Sequence, residues 1–264
     1  MRRYKQIEYK AGITVEIIKC IPRGNRKGEQ RLPVKKKTKE EIREANVRQA
    51  ARKLMRKVNA NFRPGDWHVV LTYPKGDRPD RAEAREQIKT FLRRLRSEFK
   101  KHGFELKYIQ ATEYLNKAIH HHIIVNNVND GKETSTQYIN RIWGSITKGH
   151  PKYIPLYDEG EYRKLADYFI KETEKTFRDK GSPVKQRYSC SRNLKEPKVE
   201  RRTRYTKNGW QMEPRPRPGY YILQDTLYNG TDKLGYPYQR YTMVKLNPTD
   251  EDWEPERRQK RCRT

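Results

Sequence analysis

The chain has 264 residues, enough for one generous domain or for a compact domain with appended segments. Lys and Arg number 61 against 33 Asp and Glu, a formal net charge of +28, while 33% of residues are hydrophobic and 36% are charged. No apolar run approaches the about 18 residues that a membrane-spanning helix needs, and no apolar stretch follows the basic N-terminus MRRYKQIEYK, so neither a membrane protein nor a signal peptide is expected. Three cysteines, Cys20, Cys190 and Cys262, are odd in number and lack metal-ligand spacing. A disulfide scaffold and a zinc knuckle are therefore disfavoured, and a reducing cytoplasm is the expected compartment. The excess charge seeks a polyanion, nucleic acid first, because neutralised phosphates release counterions and supply affinity independent of sequence. The 18 tyrosines and four tryptophans interleaved with the charge suit a single-strand binder that stacks bases, although each aromatic taken singly can equally be core.

In chain order, residues 1–34 read as a strand pair, with Ile13, Val15 and Ile17 alternating after a Gly turn and a polar Gly-Arg-Lys loop at 23–31. Thr38-Lys39-Glu40-Glu41 is a capping box. It opens a helix to about residue 60 with Ile42, Ala45, Ala50, Leu54 and Val58 at helical spacing and Arg48, Arg52, Lys53, Arg56 and Lys57 on the outer face, either solvated or against DNA. Trp67-His68-Val69-Val70-Leu71-Thr72-Tyr73 is a strand stopped by Pro74. Asp80 and Glu83 open an amphipathic helix carrying Ile88, Phe91, Leu92, Leu95 and Phe99, and Gly103 stops it.

Two strands follow, about 106–115 and 118–126, joined at Leu115-Asn116-Lys117-Ala118; then a helix near 134–143, a Pro- and Tyr-rich loop, and a helix from about 159 to 176. The order β, α, β, β, α predicts an α+β fold, helices packed on an antiparallel sheet. Beyond residue 180 Pro, Arg and Tyr dominate, with short strands at 220–226 and 236–246. The segments expected are 1–60, a strand pair and basic helix; 61–180, the core; 181–247, a basic, aromatic-rich β extension; and 248–264, a disordered tail.

Ala118-Ile119-His120-His121-His122-Ile123-Ile124-Val125-Asn126 carries the most information. Side chains alternate along a strand, so Ile119, His121, Ile123 and Val125 share one face while His120, His122 and Ile124 share the other. If Asn116-Lys117 is a two-residue hairpin turn, Glu113 lies opposite His120, and a carboxylate joins two imidazoles on one patch of sheet. Two His and one carboxylate leave coordination positions open, which suits catalysis better than a structural role. A slip of one residue would move Glu113 to the other face, and a strand histidine is often only a hydrogen-bonded side chain.

Farther on, Lys164, Tyr168 and Lys171 are four and three residues apart on a helix, so both ammonium groups can flank one phenol. Neighbouring cations favour the phenolate and make a better nucleophile at neutral pH, and a lysine can offset charge developing on a phosphoryl group. Tyr162 is 600° around the helix from Tyr168 and points elsewhere. A basic chain, an open His/His/Glu site and a cation-flanked tyrosine together fit metal-assisted phosphoryl transfer to tyrosine, leaving a 5′-phosphotyrosine and a free 3′-OH.

Three stretches in order, Val70-Leu71-Thr72-Tyr73, His120-His121-His122 and Tyr168-Phe169-Ile170-Lys171, resemble the motifs of the HUH endonuclease superfamily, specifically the rolling-circle replication initiators (Rep proteins) of plasmids, integrative elements and phages. The resemblance covers roughly residues 66–175 and implies a ferredoxin-like sheet, a divalent ion (Mg²⁺ or Mn²⁺) held by His120, His122 and Glu113, and a Tyr168 nucleophile assisted by Lys171. It also implies single-stranded origin DNA as substrate in the cytoplasm of a bacterial or phage-infected cell. Thr72, Tyr73, Lys75, Arg78 and Lys164 are the candidate DNA contacts. His121 departs from the bulky hydrophobe usual at the middle of the second motif, which loosens ligand assignment within the triplet.

The tyrosine follows the histidines, which favours an initiator over a conjugative relaxase, and a single nucleophile is expected. No Gly-x-x-x-x-Gly-Lys-Ser/Thr loop is present, so no nucleotide cofactor is expected, and unwinding and synthesis fall to a host helicase and polymerase. A relaxase or transposase of the same chemistry, and a non-enzymatic nucleic-acid-binding protein, remain the alternatives.

Overall fold

The computed structural model describes residues 2–22, 31–34, 36–114, 118–156, 160–179 and 186–253. They form two compact units, residues 1–36 with 197–264, and residues 37–196.

The 37–196 unit begins with α1, Lys39–Asn59, which starts where its capping box lies. The Glu41 N–H donates to the Thr38 hydroxyl at 3.1 Å, and the Thr38 N–H donates to the Glu41 carboxylate at 2.8 Å. Its buried face is Ala51, Leu54, Met55 and Val58. Ile42, expected on that face, is 48% exposed, because the helix reaches the core only from Val47 onward.

Strand β3, Trp67–Thr72, leads to α2, Arg81–Lys101, whose N-cap Asp80 accepts from the Glu83 N–H at 2.8 Å. Gly103 ends that helix with φ +80°, a backbone region costly for residues bearing a Cβ. Then come β4, Tyr108–Glu113; β5, His120–Val125; α3, Ser135–Thr147; β6, Pro151–Pro155; α4, Arg163–Arg178; and β7, Ser189–Cys190. The strands lie in the order β6-β3-β5-β4-β7, every neighbour antiparallel. The run β3-α2-β4-β5-α3-β6 is a split βαβ repeat, and this is the α+β, ferredoxin-like sheet that the sequence predicts. Strand β6 falls where a Pro- and Tyr-rich loop is expected; prolines at both of its ends are tolerated because it is an edge strand.

Period-two alternation gives each face its own core. Val69, Leu71, Ile123 and Val125 pack with Phe91, Leu95 and Phe99 of α2 and Tyr138, Ile142 and Trp143 of α3. On the other face Ile109, Ala111 and Ile124 pack with Leu54 and Val58 of α1 and Leu165, Phe169 and Ile170 of α4. Each fully buried Leu, Ile or Phe contributes about 1.5–3 kcal/mol. Strand β5 lies inside the sheet with helices over both faces, and all six of its residues are buried.

The other unit is a five-stranded antiparallel sheet of β1 (Arg2–Ala11), β2 (Thr14–Cys20), β8 (Lys198–Thr206), β9 (Tyr220–Thr231) and β10 (Pro237–Lys245), ordered β8-β1-β2-β10-β9. The strand pair expected at the N-terminus is present. Its outer neighbours come from the far end of the chain, so the pair and the helix that follows it fall in different units. A 3-10 turn occupies Asp250–Asp252 within the expected tail. The loop at 23–30, the Asn116-Lys117 turn and the tail from 254 lie outside the described residues.

Candidate metal centre and tyrosine site

In the β4–β5 ladder Glu113 pairs with His120, Thr112 with His121 and Ala111 with His122, the register that the hairpin arithmetic requires. Glu113, His120 and His122 therefore share the face covered by α1 and α4, and all three are buried, Glu113 completely. Their donor atoms converge. His120 Nε2 lies 3.1 Å from His122 Nε2 and 3.3 Å from Glu113 Oε2, and His122 Nε2 lies 4.0 Å from the same oxygen.

The hydrogen bonds behind the rings decide what these atoms can do. His120 Nδ1 is 2.7 Å from the Ala118 carbonyl, which only accepts, so Nδ1 carries the proton and Nε2 presents its lone pair forward. His122 Nδ1 is 3.1 Å from Nε2 of His68 on β3, and the two rings stack with centroids 5.3 Å apart. With the His122 proton on Nδ1, its Nε2 also faces forward as an acceptor. Two imidazole lone pairs and a buried carboxylate then face one point with no donor among them. A buried carboxylate is costly unless a cation or donors compensate it. One proton can satisfy one of these electron pairs; a metal ion satisfies all three, so the donor set fits a divalent cation. The Nδ1–H bonds supply the outer support that metal-bound histidines need.

Burial pushes His68 down to about 4, because the cationic imidazole loses its hydration there. A neutral His68 can accept at Nε2. Nothing in a one-strand reading singled this residue out. The only signal is its alternation with Val70 and Thr72, which puts it on the ligand face of β3, and that β3 lies beside β5 is known only from the sheet.

His121 points to the opposite face, into the core under α2 and α3. Its Nδ1 lies 2.8 Å from the Thr112 hydroxyl, its Nε2 lies 2.8 Å from the Tyr73 hydroxyl, and its ring meets Trp143 edge-on. Complete burial and the neighbouring His120 push it down to about 3, so it is neutral at physiological pH. The middle histidine thus fills a hydrophobe's place by hydrogen-bonding both of its nitrogens.

Tyr168 stands on α4 with its ring centroid 5.6 Å from that of His122 and 6.2 Å from that of His68, edge to face in both contacts, and it is 40% exposed. Phe169 beside it is buried against the same two histidines. Lys164 and Lys171 are exposed on α4. Tyr162 is fully buried at the helix start, where its N–H donates to Asn59 Oδ1 at 3.1 Å.

The candidate DNA contacts divide. Lys75 and Arg78 are exposed between β3 and α2. The Thr72 hydroxyl donates to the His150 carbonyl at 2.8 Å, and the Thr72 carbonyl accepts from the Trp143 indole at 3.0 Å. Gly149 passes so close to that carbonyl that an added Cβ would lie 2.0 Å from it. Tyr73 packs on Trp143 and engages His121, and burial pushes its phenol pKa up. Thr72 and Tyr73 therefore spend their hydroxyls inside the protein.

Residues 66–177 match the family model of the ORF2-type replication-associated protein. The matched stretch runs from just before β3 to the last turn of α4, and so takes in Glu113, His120, His122 and Tyr168. The match links the chain to DNA replication. No curated protein and no solved structure matches the chain.

Proposed function

We propose that the protein is a rolling-circle replication initiator of the HUH type, which nicks and rejoins single-stranded origin DNA through a covalent link to Tyr168. One observation carries this reading: three converging ligand atoms within 4.8 Å of one another stand beside a half-exposed tyrosine, inside the stretch that matches a replication-associated family. Glu113, His120 and His122 would hold Mg²⁺ or Mn²⁺, which acts as a Lewis acid on a phosphate.

The protein's own groups do the rest. Tyr168 Oη attacks the phosphorus, forming a new P–O bond as the bond to the 3′ oxygen breaks. The phenolic proton passes to solvent, and the departing oxygen takes up a proton to become a 3′-OH. Lys171 and Lys164 hold cationic charge on the tyrosine's helix, where it favours the phenolate and offsets charge developing on the phosphoryl oxygens. His68 holds His122 in the tautomer that faces forward. The 5′-phosphotyrosine keeps the energy of the phosphodiester, so a 3′-OH can later attack it and reseal the strand. Lys75 and Arg78 add phosphate contacts, and a host helicase and polymerase in the cytoplasm would supply unwinding and synthesis.

The test is incubation of the protein with a library of single-stranded origin oligonucleotides and Mn²⁺, followed by denaturing electrophoresis and mapping of the DNA-linked peptide. The linked peptide is expected to contain Tyr168, and Tyr168→Phe is expected to give none. Equal adduct yield from the wild type and Tyr168→Phe overturns the mechanism.

A further inference from the structure

Helix α2 carries a cationic stripe that the proposed chemistry does not use. Arg81, Arg85, Lys89, Arg93 and Arg96 recur every three or four residues, which puts them along one side of the helix, and all five are exposed. At 1.5 Å per residue the stripe is about 22 Å long, and it forms one wall of a groove of about 750 Å³. The opposite wall comes from β4 and the 186–189 segment, with Tyr108, Tyr114, Tyr188 and a sixth cation, Arg187. Ile88, Leu92 and Ile119 supply apolar lining.

Some of this charge is balanced within the protein. Arg81 pairs with Asp179 at 2.6 Å, Lys89 with Glu86 at 2.5 Å and Arg187 with Glu174 at 2.8 Å. Among the described residues Arg93 and Arg96 have no carboxylate partner; Arg96 instead donates to the Tyr108 hydroxyl at 3.3 Å. Arg81 lies over the Tyr114 ring at 4.1 Å. The groove therefore combines a line of cations with π faces and apolar lining, the pairing that tracks a single strand by its phosphates and stacks its bases. A duplex hides its base faces and would leave the tyrosines and isoleucines unused.

Position ties the groove to the metal centre. Tyr114 and Ile119 each sit one residue beyond a candidate ligand, Glu113 and His120, at the open end of the β4–β5 pair. Alternation turns them to the other face of the sheet. We infer that this groove binds single-stranded DNA flanking the scissile phosphate, about six nucleotides at the stacked spacing of about 3.4 Å per phosphate. The identity of the strand rests on the proposed function; the groove's preference for single strands does not.

The test measures binding without cleavage: anisotropy of a dye-labelled 20-nucleotide oligothymidylate in EDTA across a salt series. Arg85→Gln/Arg93→Gln is expected to bind about tenfold more weakly at 0.1 M salt, with a log–log salt slope smaller by about 1.4, since each phosphate contact on a single strand contributes about 0.7. Arg48→Gln/Arg56→Gln on α1 removes the same charge away from the groove and should change binding far less. A 5-iodouracil oligonucleotide should photocrosslink to peptides containing Tyr114 or Tyr188. Equal weakening by the two double variants, crosslinks confined to other peptides, or equally tight, equally stripe-dependent binding of a duplex would overturn the inference. A failed Tyr168 adduct with these binding results intact would sink the proposed function alone.

Discussion

Glu113 and His120 are directly paired across the β4–β5 ladder, and their donor atoms lie 3.3 Å apart with the carboxylate fully buried. A carboxylate so placed makes the protein's stability depend on what cation occupies the site.

Glu113→Gln removes the buried charge but keeps the shape. In EDTA the variant is expected to be as stable as the wild type or up to about 2 kcal/mol more stable, because an uncompensated buried charge is lost. Wild-type Tm should rise with millimolar Mn²⁺ and the variant's should not, as differential scanning fluorimetry will show. An equal Mn²⁺ shift in both would place the ion elsewhere. Because imidazole suits borderline transition metals better than Mg²⁺, Mn²⁺ should produce the larger shift of the two.

His68 supports His122 without facing the ligand point itself. Outer partners of metal-bound histidines are worth about 10–100-fold in affinity, so His68→Phe should weaken Mn²⁺ binding by about that much in calorimetry. His68→Gln, whose amide oxygen can accept the Nδ1–H, should recover part of the loss. Equal affinity in both variants and the wild type would leave His68 a packing residue only.

His121 and His68 make the fold acid-sensitive. Their folded values, about 3 and about 4, lie below the unfolded histidine value of about 6.5. Below about pH 6.5 the unfolded chain binds protons that the folded chain refuses, so stability falls as pH falls, by up to about 1.4 kcal/mol per pH unit for each histidine. Urea midpoints in EDTA at pH 7.5, 6.5 and 5.5 should decline. His121→Gln, which does not titrate but can still hydrogen-bond Thr112 and Tyr73, should decline less steeply. Parallel slopes would show that His121 is protonated in the folded state.

The two tyrosines of α4 and its cap should separate cleanly. Tyr168→Phe alters a half-exposed hydroxyl and should change stability by less than about 0.5 kcal/mol while abolishing the adduct. Tyr162→Phe alters a fully buried residue and should leave adduct formation in place. Loss of the adduct in both, with intact folding by circular dichroism, would point to two nucleophiles.

Much of the site was legible in local pattern. The capping box at Thr38, the stop at Gly103 and the opposite faces of His120 and His121 follow from spacing, because helix and strand periods are properties of neighbouring residues. Even the Glu113–His120 pair follows, since a short connection leaves a hairpin few registers. The exposed Ile42 was misread because period alone does not say how far along a helix the core extends. His68 lies 54 positions from His122, and β1 pairs with a strand almost two hundred residues away. No local period carries such contacts. They arise when distant segments bury their faces together, and that burial set the strand order, seated Tyr168 beside the histidines and gave the arginines of α2 a groove to line.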